Sequence, residues 1–378
     1  METTGFKDRK KVLVLAQTPP PHHGQAIMQQ YLVDAEWSWC NKQHIPLNYS
    51  SSIQQVGSFR FSKIAKLLGV LQKVRRVKKQ SCIELFYYPP AGPNRIPLYR
   101  DVVTLLYARR SAKKIVLHFH AGGLSNLVER LNLVEKYFVK KAFRNIDYAV
   151  VLLPWLQKEV DWFAPKKVLV IPNGIEDVSA GALFPHRTTA PNNNILFVGN
   201  LKEEKGIFVL LAAAAKLKAK GLCFRVRVMG EAHSDDVRNR IIAFLHENEI
   251  ADNVILLGSL TGEKKWEEFK QASVFCLPTY ATEAMPVSIL EAMMFSLPVV
   301  STHWRAIPDM ITNGCEGLLT PVKNEEALGD AIATLLRDKD LAMQMGRNGR
   351  KKFESHYHIQ KHLSAMEAAF RQVVDSSR

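Results

Sequence analysis

The feature that most constrains the fold is an alternation of short apolar runs with helical stretches, which occurs in two series. The first series opens with an apolar run at 11–16, a turn with Pro and Gly at 18–24 and a helical pattern at 26–35. A strand that repeatedly feeds a turn and a helix builds a parallel sheet covered by helices on both faces. The sequence therefore predicts an α/β fold. Its further predicted strands are 83–88, 114–118, 148–153 and 168–171 in the first series, and 195–199, 224–229, 254–258, 274–277 and 299–301 in the second.

The two series predict two domains. Between them, Gly, Pro, Ser, Thr and Asn dominate residues 176–194, which we interpret as a linker. We expect Rossmann-like, doubly wound parallel-sheet domains at 1–175 and 195–355 that face each other across a cleft. A carboxyl-terminal helix at 356–378 is a candidate to pack back on the first domain. In such sheets, ligands bind beyond the carboxyl ends of the strands.

Composition narrows the class of protein. The chain is 47% hydrophobic, yet no uninterrupted apolar run is long enough to span a bilayer, and residues 1–11 have no apolar run of signal-peptide length. Five widely spaced cysteines favour reduced thiols over a disulfide framework or a zinc site. We therefore expect a cytoplasmic protein. The cysteines are Cys40, Cys82, Cys223, Cys276 and Cys315.

The basic charge is concentrated in the first half of the chain. Residues 1–185 hold 27 Lys and Arg against 13 Asp and Glu, whereas the remainder holds 24 against 23. A local field of that sign attracts an anionic surface or substrate. Signatures of zinc fingers, RNA-recognition domains and basic zippers are missing from the sequence, so we expect no nucleic-acid partner.

Residues 61–79 combine apolar positions at helical spacing with seven cations. One interpretation is a surface helix that packs on its sheet and has a solvated charged rim. The other is a helix that docks on anionic lipid. Both remain open, because an apolar stripe can serve the core while the cations face a membrane. The apolar positions are Ile64, Leu67, Leu68, Leu71, Val74 and Val77.

Glu283 and Glu291 give the clearest chemical signal. They lie eight residues apart, after the predicted strand at 274–277 and across the start of a helical stretch. N–H groups at a helix start favour phosphate oxygens, so the amides of Met285, Val287 and Ser288 are candidate phosphate ligands. For a single glutamate, the alternative is that it only stabilises the amino terminus of the helix.

This block resembles the Glu-x7-Glu motif of the family 4, or group 1, retaining glycosyltransferases, which have the two-domain GT-B fold. Four other segments resemble the family in the same order along the chain. The five segments are 19–24, 118–123, 170–175, 197–206 and 277–302.

The resemblance implies a role for each matching residue of the second domain. Glu283 would hydrogen-bond hydroxyls of the donor sugar, and Glu291 would hold the ribose hydroxyls of the nucleotide. Lys205 is similar to the family lysine that neutralises the diphosphate, a role that suits a fixed ammonium because the leaving group gains negative charge. Taken alone, Lys205 would be interpreted as a solvated surface lysine.

In the first domain, His120 resembles the family histidine beside the reacting centre. His118 lies two residues away on the same strand face and is its competitor, although its upstream position favours burial. Gly24 resembles a glycine of the family's first loop, which lets the backbone approach the diphosphate closely. The alternative for that loop is a turn stiffened by its prolines.

Three positions depart from the family pattern. Asn200 stands where the family often has an arginine, so one cation that would face the diphosphate is missing. His23 stands where a glycine is usual. Arg305 lies in a stretch that commonly has glycines, and we hypothesise that it restores the missing charge near the donor.

The resemblance implies a retaining, metal-independent transfer of a sugar from a nucleotide-diphosphate donor to a glycan or lipid-linked acceptor, in exopolysaccharide or cell-envelope assembly. No cofactor is expected, since the nucleotide sugar is a co-substrate. We expect the protein in the cytoplasm, with peripheral contact to the inner face of the membrane as an option. Two alternatives stay open: an inactive scaffold, suggested by Asn200 and Arg305, and another GT-B activity such as a nucleotide-sugar 2-epimerase, against which the pair Glu283 and Glu291 argues.

Overall fold

The computed structural model describes residues 9–20, 24–47, 61–80, 82–179 and 193–376. The chain divides into two compact units. Unit 1 comprises Met1–Gly174 with Gln360–Arg378, and unit 2 comprises Ile175–Ile359. Most of the segment interpreted as a linker lies outside the described residues.

Unit 1 is built on a parallel sheet of six strands in the order β2-β1-β3-β4-β5-β6. Its central strands are buried on both faces, which explains their continuous apolar sequences. The strands are β1 (Lys10–Ala16), β2 (Cys40–Pro46), β3 (Ile83–Tyr88), β4 (Ala112–Phe119), β5 (Tyr148–Val151) and β6 (Lys167–Val170). The helices are α1 (Gly24–Asp34), α2 (Phe61–Gln80), α3 (Arg95–Ala108), α4 (Leu124–Glu129) and α5 (Leu133–Phe143).

Unit 2 is built on a second parallel sheet of six strands, in the order β12-β11-β10-β7-β8-β9. The strands are β7 (Asn194–Val198), β8 (Arg225–Met229), β9 (Val254–Gly258), β10 (Val274–Leu277), β11 (Val299–Thr302) and β12 (Gly317–Thr320). The helices are α6 (Ile207–Ala219), α7 (Asp235–Glu247), α8 (Gly262–Gln271), α9 (Val287–Met294), α10 (Ile307–Met310), α11 (Glu325–Arg337) and α12 (Lys339–Lys352).

The last helix, α13 (Ile359–Asp375), covers the sheet of unit 1. Its buried residues Met366, Phe370 and Val373 join one apolar cluster with residues of β1, β3 and β5. Phe370 packs against the rings of Trp37 and Tyr87 at centroid distances of 5.2 and 5.3 Å. The chain therefore ends in the unit in which it began.

The predicted α/β class with two doubly wound parallel sheets is confirmed, and all ten predicted strands are present. Two strands, β2 and β12, were not predicted. Both lie at an edge of their sheet and pair on one side only. β2 is largely polar and ends in Pro46, and β12 has only four residues. An edge strand needs no continuous apolar run, so neither sequence carries the pattern of a buried strand.

Candidate functional site

Unit 2 reverses its strand order between β10 and β7, which are neighbours in the sheet. From β7 the chain proceeds to β8 and β9, and from β10 it proceeds in the other direction to β11 and β12. At such a point the connections leave the sheet in opposite directions and open a crevice beyond the carboxyl ends of the strands. All candidate residues of unit 2 follow β7, β10 or β11 in the sequence.

Lys205 ends a short 3₁₀ turn after β7, and Gly206 joins that turn to α6. Gly206 has a φ of +85°, in the left-handed region that favours glycine. A Cβ atom there would lie 2.1 Å from the carbonyl oxygen of Pro278, at the end of β10. Only glycine allows this approach, which brings the turn that carries Lys205 against the segment after β10.

Hydrogen bonds hold the two segments together. The carbonyl oxygen of Glu204 accepts from the amide of Tyr280 at 2.8 Å and from the hydroxyl of Thr279 at 3.2 Å. The ammonium of Lys205 contacts the carboxylate of Glu283 directly. Burial lowers the pKa of Lys205 to about 8. The structure thus joins two predicted site residues that are 78 positions apart in one ion pair.

The loop that carries Glu283 has a second support that the sequence did not reveal. The carbonyl oxygen of Ala281 accepts from the amide of Glu283 at 2.8 Å and from the indole N–H of Trp304 at 3.0 Å. Trp304 follows β11, so an indole from the neighbouring strand fixes the path of this loop. A tryptophan 23 residues further along the chain carries no local signal for this role.

The amino terminus of α9 lies directly after this loop. Pro286 is its N-cap, and Val287 and Ser288 are the first residues of the helix. N–H groups in these positions have no partner within the helix and favour anionic oxygens. Met285 is buried immediately before the cap. The structure therefore puts the three predicted amides at a helix start, although Met285 belongs to the approach and not to the helix.

Glu291 lies one turn further along α9 and is buried. Its carboxylate accepts from the ammonium of Lys265 at 2.5 Å. Burial raises the pKa of Glu291, and the Lys265 cation opposes that effect. Lys265, in the first turns of α8, was not predicted as a site residue, because a lysine in a polar helix next to Lys264 is typical of a solvated surface.

Of the three positions that depart from the family pattern, the two in unit 2 lie at the same edge of its sheet. Asn200 is exposed, two residues after β7. Arg305 follows β11 and has a φ of +48°, a conformation that favours glycine. This conformation explains why a glycine is common there and shows that Arg305 occupies the position at a cost in backbone strain.

Unit 1 reverses its strand order between β1 and β3. Gly24 is the first residue of α1, which follows β1, and it is half-buried. His23, the departure in this loop, lies outside the described residues. His120 follows β4, whose neighbour is β3, so it belongs to the same carboxyl edge of the sheet.

A network of neutral polar side chains surrounds His120. Its Nε2 lies 2.8 Å from the amide nitrogen of Gln29, a buried residue of α1. The ring of His118 lies 3.9 Å away, and its Nδ1 is 2.7 Å from the hydroxyl of Tyr87. Burial, with smaller effects from His120 and His362, holds the pKa of His118 well below its usual range. His118 is a neutral core residue, whereas His120 is half-buried at the edge.

Gln29 was not predicted, although the sequence carried a signal for it. Ala26, Gln29 and Leu32 recur at a spacing of three residues and are all buried on α1. A polar residue within an apolar helix stripe has to be hydrogen-bonded by something nearby. The partner is His120, 91 residues away.

No group of three or more His, Cys, Asp and Glu side chains in the described ranges is arranged to hold a metal ion. In the same ranges, no helix has both the length and the apolar character needed to cross a bilayer.

Comparisons with known proteins agree with this architecture. Residues 184–352 match the model of the family described as glycosyl transferases group 1. The chain is 24% identical over 327 residues to the amylovoran biosynthesis glycosyltransferase AmsK of Erwinia amylovora, which covers 78% of this chain and 79% of AmsK. It is 25% identical over 257 residues to the putative colanic acid biosynthesis glycosyltransferase WcaL of Escherichia coli, which covers 65% of this chain and 61% of WcaL.

The WcaL of Salmonella typhimurium aligns over 205 residues at 28% identity, which covers 52% of this chain and 49% of that protein. The chain thus spans about half of one WcaL and under two thirds of the other. Among solved structures, a sucrose-phosphate synthase from Thermosynechococcus elongatus has a TM-score of 0.75 at 18% identity and covers 98% of this chain and 100% of its own. HepE from Anabaena, in complex with UDP, has a TM-score of 0.69 at 16% identity, with coverages of 96% and 100%.

Two Rossmann-like units with these strand orders and these structural neighbours define a protein of the GT-B fold. The family model covers two of the five segments that resemble the family, 197–206 and 277–302, and agrees with the resemblance there. Residues 184–352 of this chain, which contain Lys205, Glu283 and Glu291, match the model of the group 1 glycosyltransferases.

Proposed function

We propose that this protein transfers a sugar from a nucleotide-diphosphate donor to a glycan or lipid-linked acceptor in the assembly of an extracellular or cell-envelope polysaccharide. The observation that carries the proposal is the pair Lys205 and Glu283 at the carboxyl edge of β7 and β10, with Glu291 on the helix that follows. The names of AmsK and WcaL support polysaccharide assembly as the setting.

In this proposal the ion pair of the free protein is replaced by the donor. The diphosphate takes over the ammonium of Lys205, and hydroxyls of the sugar take over the carboxylate of Glu283. Each group exchanges one charge-assisted hydrogen bond for another, so neither is left unpaired when the donor binds. The N–H groups of Val287 and Ser288 receive phosphate oxygens at the start of α9.

Glu291 binds the ribose hydroxyls. Lys265 keeps the carboxylate of Glu291 ionised and fixes its orientation, and we assign it as a positioning residue. Without that cation, a buried carboxylate would take up a proton more readily and lose acceptor capacity. Asn200 donates to the diphosphate as a neutral amide, and Arg305 supplies the charge that Asn200 lacks.

In unit 1, His120 hydrogen-bonds the transferred sugar, a role that suits its resemblance to the family histidine beside the reacting centre, and Gly24 lets the first loop approach the diphosphate. Gln29 is a second positioning residue, because its amide holds the imidazole ring of His120. The buried pair His118 and Tyr87 supports the ring from the other side.

We infer retention of the anomeric configuration. The bond between the anomeric carbon and the phosphate oxygen breaks while the acceptor oxygen bonds to the same face of that carbon. The acceptor proton passes to the departing phosphate oxygen, so the leaving group serves as the base. No carboxylate has to attack the sugar, unlike in a retaining glycosidase. Lys205 and the helix amides stabilise the charge that develops on the diphosphate, and we therefore propose a metal-independent reaction.

The test is a thermal-shift screen with UDP-, GDP-, ADP- and CMP-sugars, followed by an assay of nucleotide release with and without EDTA. A donor that binds the folded state raises the melting temperature. UDP-glucose is the first candidate, because HepE was solved in complex with it. We expect one nucleotide class to stabilise the protein, slow EDTA-insensitive hydrolysis, and an unchanged anomer in the product by NMR. Stabilisation without any release of nucleotide would point to the inactive scaffold, and no stabilisation by any donor would refute both.

A further inference from the structure

One helical layer of unit 1 exposes much apolar surface. α3 packs against both α2 and α5, and we call the outer surface of these three helices the α2–α3–α5 face. Contiguous exposed apolar surface of this kind marks an interaction site. The exposed large apolar residues of the face are Ile64 and Leu68 on α2, Ile96, Tyr99, Val103 and Tyr107 on α3, and Leu133, Val134, Tyr137 and Phe138 on α5.

The spacing of these residues shows that they form stripes. On α3 they recur at intervals of three, four and four residues, which keeps them on one side of the helix. On α5, Tyr137 and Phe138 lie one turn after Leu133 and Val134. Leu133 is 85% exposed and Val134 is 66% exposed, although both could have been polar at no cost to the core.

The same helical segments carry most of the excess positive charge of the first half of the chain. Segments 61–80, 95–111 and 130–144 together hold sixteen Lys and Arg against two Asp and Glu, an excess of fourteen. The excess in the whole of residues 1–185 is also fourteen, so the rest of that half is balanced. The basic field predicted from the sequence therefore comes from these three helical segments.

The two acidic residues of these segments form hydrogen bonds within unit 1. Asp101 is buried and accepts from the hydroxyl of Tyr88 at 2.6 Å and from the amide of Ala91 at 2.7 Å. Glu135 accepts from the amide of Asn132 in the capping box of α5 and binds the hydroxyl of Tyr99. Asp101 also pairs with the guanidinium of Arg100 at 2.9 Å, and the excess of fourteen charges already counts both carboxylates, so the face stays strongly basic.

We propose that the α2–α3–α5 face docks on a bilayer that contains anionic lipid. A polyanion in solution would be bound by the cations alone and would leave the apolar stripes in water. An interfacial surface uses both features, because aromatic and aliphatic side chains enter the boundary of headgroups and acyl chains while Lys and Arg meet the headgroup phosphates.

The anchor differs from the one that the sequence indicated. In α2 the side chains of Val70, Val74 and Val77 are buried, so much of its apolar stripe serves the core. Among the large apolar residues described from Ile64 onward, only Ile64 and Leu68 are exposed, and α2 contributes mainly charge. The apolar anchor is provided by α3 and α5. This inference does not depend on the proposed transfer reaction, because it concerns a different surface and a different ligand.

The test is flotation of the full chain with vesicles of phosphatidylcholine, alone or with a quarter of phosphatidylglycerol. We expect binding to the mixed vesicles and little to the neutral ones. The double variant Tyr137→Ser with Phe138→Ser lowers the partition coefficient about tenfold or more. Lys140→Gln with Arg144→Gln lowers it about thirtyfold, since each cation near the surface contributes roughly fivefold.

Two control pairs match these changes elsewhere on the molecule. Ile242→Ser with Met343→Ser removes exposed apolar side chains from unit 2, and Lys264→Gln with Lys361→Gln removes exposed cations outside the face. We expect both controls to float like the wild type, and circular dichroism melts check that every variant is folded.

Five results would overturn the proposal. The first four are equal flotation with both kinds of vesicle, flotation with neither, loss of binding in the controls as large as in the test variants, and binding of an oligonucleotide, in place of vesicles, that depends on the cations but not on Tyr137 and Phe138. The fifth, self-association by sedimentation velocity that the Tyr137 and Phe138 variant abolishes, without vesicle binding, would assign the face to a second copy of the chain.

Discussion

The two units share a sheet architecture and differ in the charge of the side chains that lie at the carboxyl ends of their strands. Both have six parallel strands and one point where the strand order reverses. In unit 2, cations and carboxylates are paired at or below the surface, as in Lys205 with Glu283 and Lys265 with Glu291. In unit 1, the polar side chains around His118 at the carboxyl edge of the sheet form a neutral network, whereas buried ion pairs such as Lys114 with Asp147 lie elsewhere and many exposed cations lie on the outer helices.

This difference shows what each unit can bind. An ion pair at the strand ends can be replaced by contacts to a ligand, with anionic groups on the ammonium and hydroxyl groups on the carboxylate. A nucleotide diphosphate with its sugar offers both kinds of group. A neutral imidazole network can donate and accept hydrogen bonds without attracting an ion strongly, which suits an uncharged sugar hydroxyl. The fold sets the position of both sites, and the side chains at the strand ends set their chemistry.

The largest expected effect tests whether the paired charges of unit 2 carry the chemistry. Lys205→Ala lowers kcat about a hundredfold to a thousandfold, because a fixed donor to the developing charge is lost. Steady-state kinetics with the donor identified by thermal shift would measure it. The control is Lys202→Ala, three residues earlier, whose ammonium lies 4.0 Å from Glu204 at the surface. If both variants lose activity equally, Lys205 has no special role.

The next effect tests the close approach of Gly206 to Pro278, which brings the turn with Lys205 against the segment after β10. Gly206→Ala forces a Cβ atom to within 2.1 Å of a backbone oxygen, and in addition it strains a φ of +85°. We expect a loss in the free energy of unfolding of about 3 kcal/mol or more. Gly221→Ala is the matched control, since its φ is +69° but nothing lies within 4 Å of the added atom.

Denaturant titration of both variants would separate the cost of the steric contact from the cost of the left-handed conformation. The control should lose only the cost of the left-handed conformation, about 1–2 kcal/mol. Equal losses in the two variants would mean that the backbone around Pro278 relaxes, and that the contact does not define the site.

These tests also bear on how far the sequence alone could reach. Buried central strands were predictable because their apolar runs are continuous, and Glu283, Glu291 and Lys205 could be named as candidates because motifs place them after such strands. Edge strands such as β2 were not, because a partly exposed strand with a lysine and an asparagine has no such run.

The supporting residues were missed for a different reason. Lys265 acts on a partner 26 residues away and Gln29 on a partner 91 residues away. Contacts of that kind depend on how helices pack on a sheet, which local spacing does not encode. The exposed apolar residues that we propose face a membrane were partly missed for the same reason, because helical spacing does not tell which stripe of α2 is turned towards the core.

A smaller effect concerns the pH dependence of donor binding, which tests the titrating group of unit 2, Lys205. Lys205 has a pKa lowered to about 8 by burial. The protonated form binds the diphosphate, so donor affinity is complete below that value and is lost as the pH rises through it. Between pH 7 and pH 9 the dissociation constant should rise about tenfold, since the protonated fraction falls by that factor. Isothermal titration calorimetry at several pH values would measure this change.

Lys205→Arg is the matched variant for this titration. A guanidinium stays charged throughout the range, so its binding curve should be flat between the same pH values. An equally steep loss of affinity in the variant would assign the titration to another group and would remove Lys205 from the diphosphate site.

The smallest expected effect asks whether the neutral network of unit 1 positions His120. Gln29→Leu removes the hydrogen bond to its imidazole and should lower kcat about fivefold, with little change in the KM for the donor. Gln29→Glu restores a hydrogen-bonding partner and adds a negative charge beside the ring. It should recover part of the rate and move the acidic limb of the pH–rate profile to higher pH, because a carboxylate favours the protonated imidazole.

Gln30→Leu is the control, because Gln30 is the next residue of α1 and its amide donates to the carboxylate of Asp34, at 2.7 and 2.8 Å, on the exposed side of the helix. A purely structural role for Gln29 would lower stability without moving the pH profile. A shifted profile in Gln29→Glu, together with an unchanged one in Gln30→Leu, therefore distinguishes positioning from packing. It would also show that unit 1 contributes to the chemistry through the hydrogen bond between the neutral amide of Gln29 and the ring of His120.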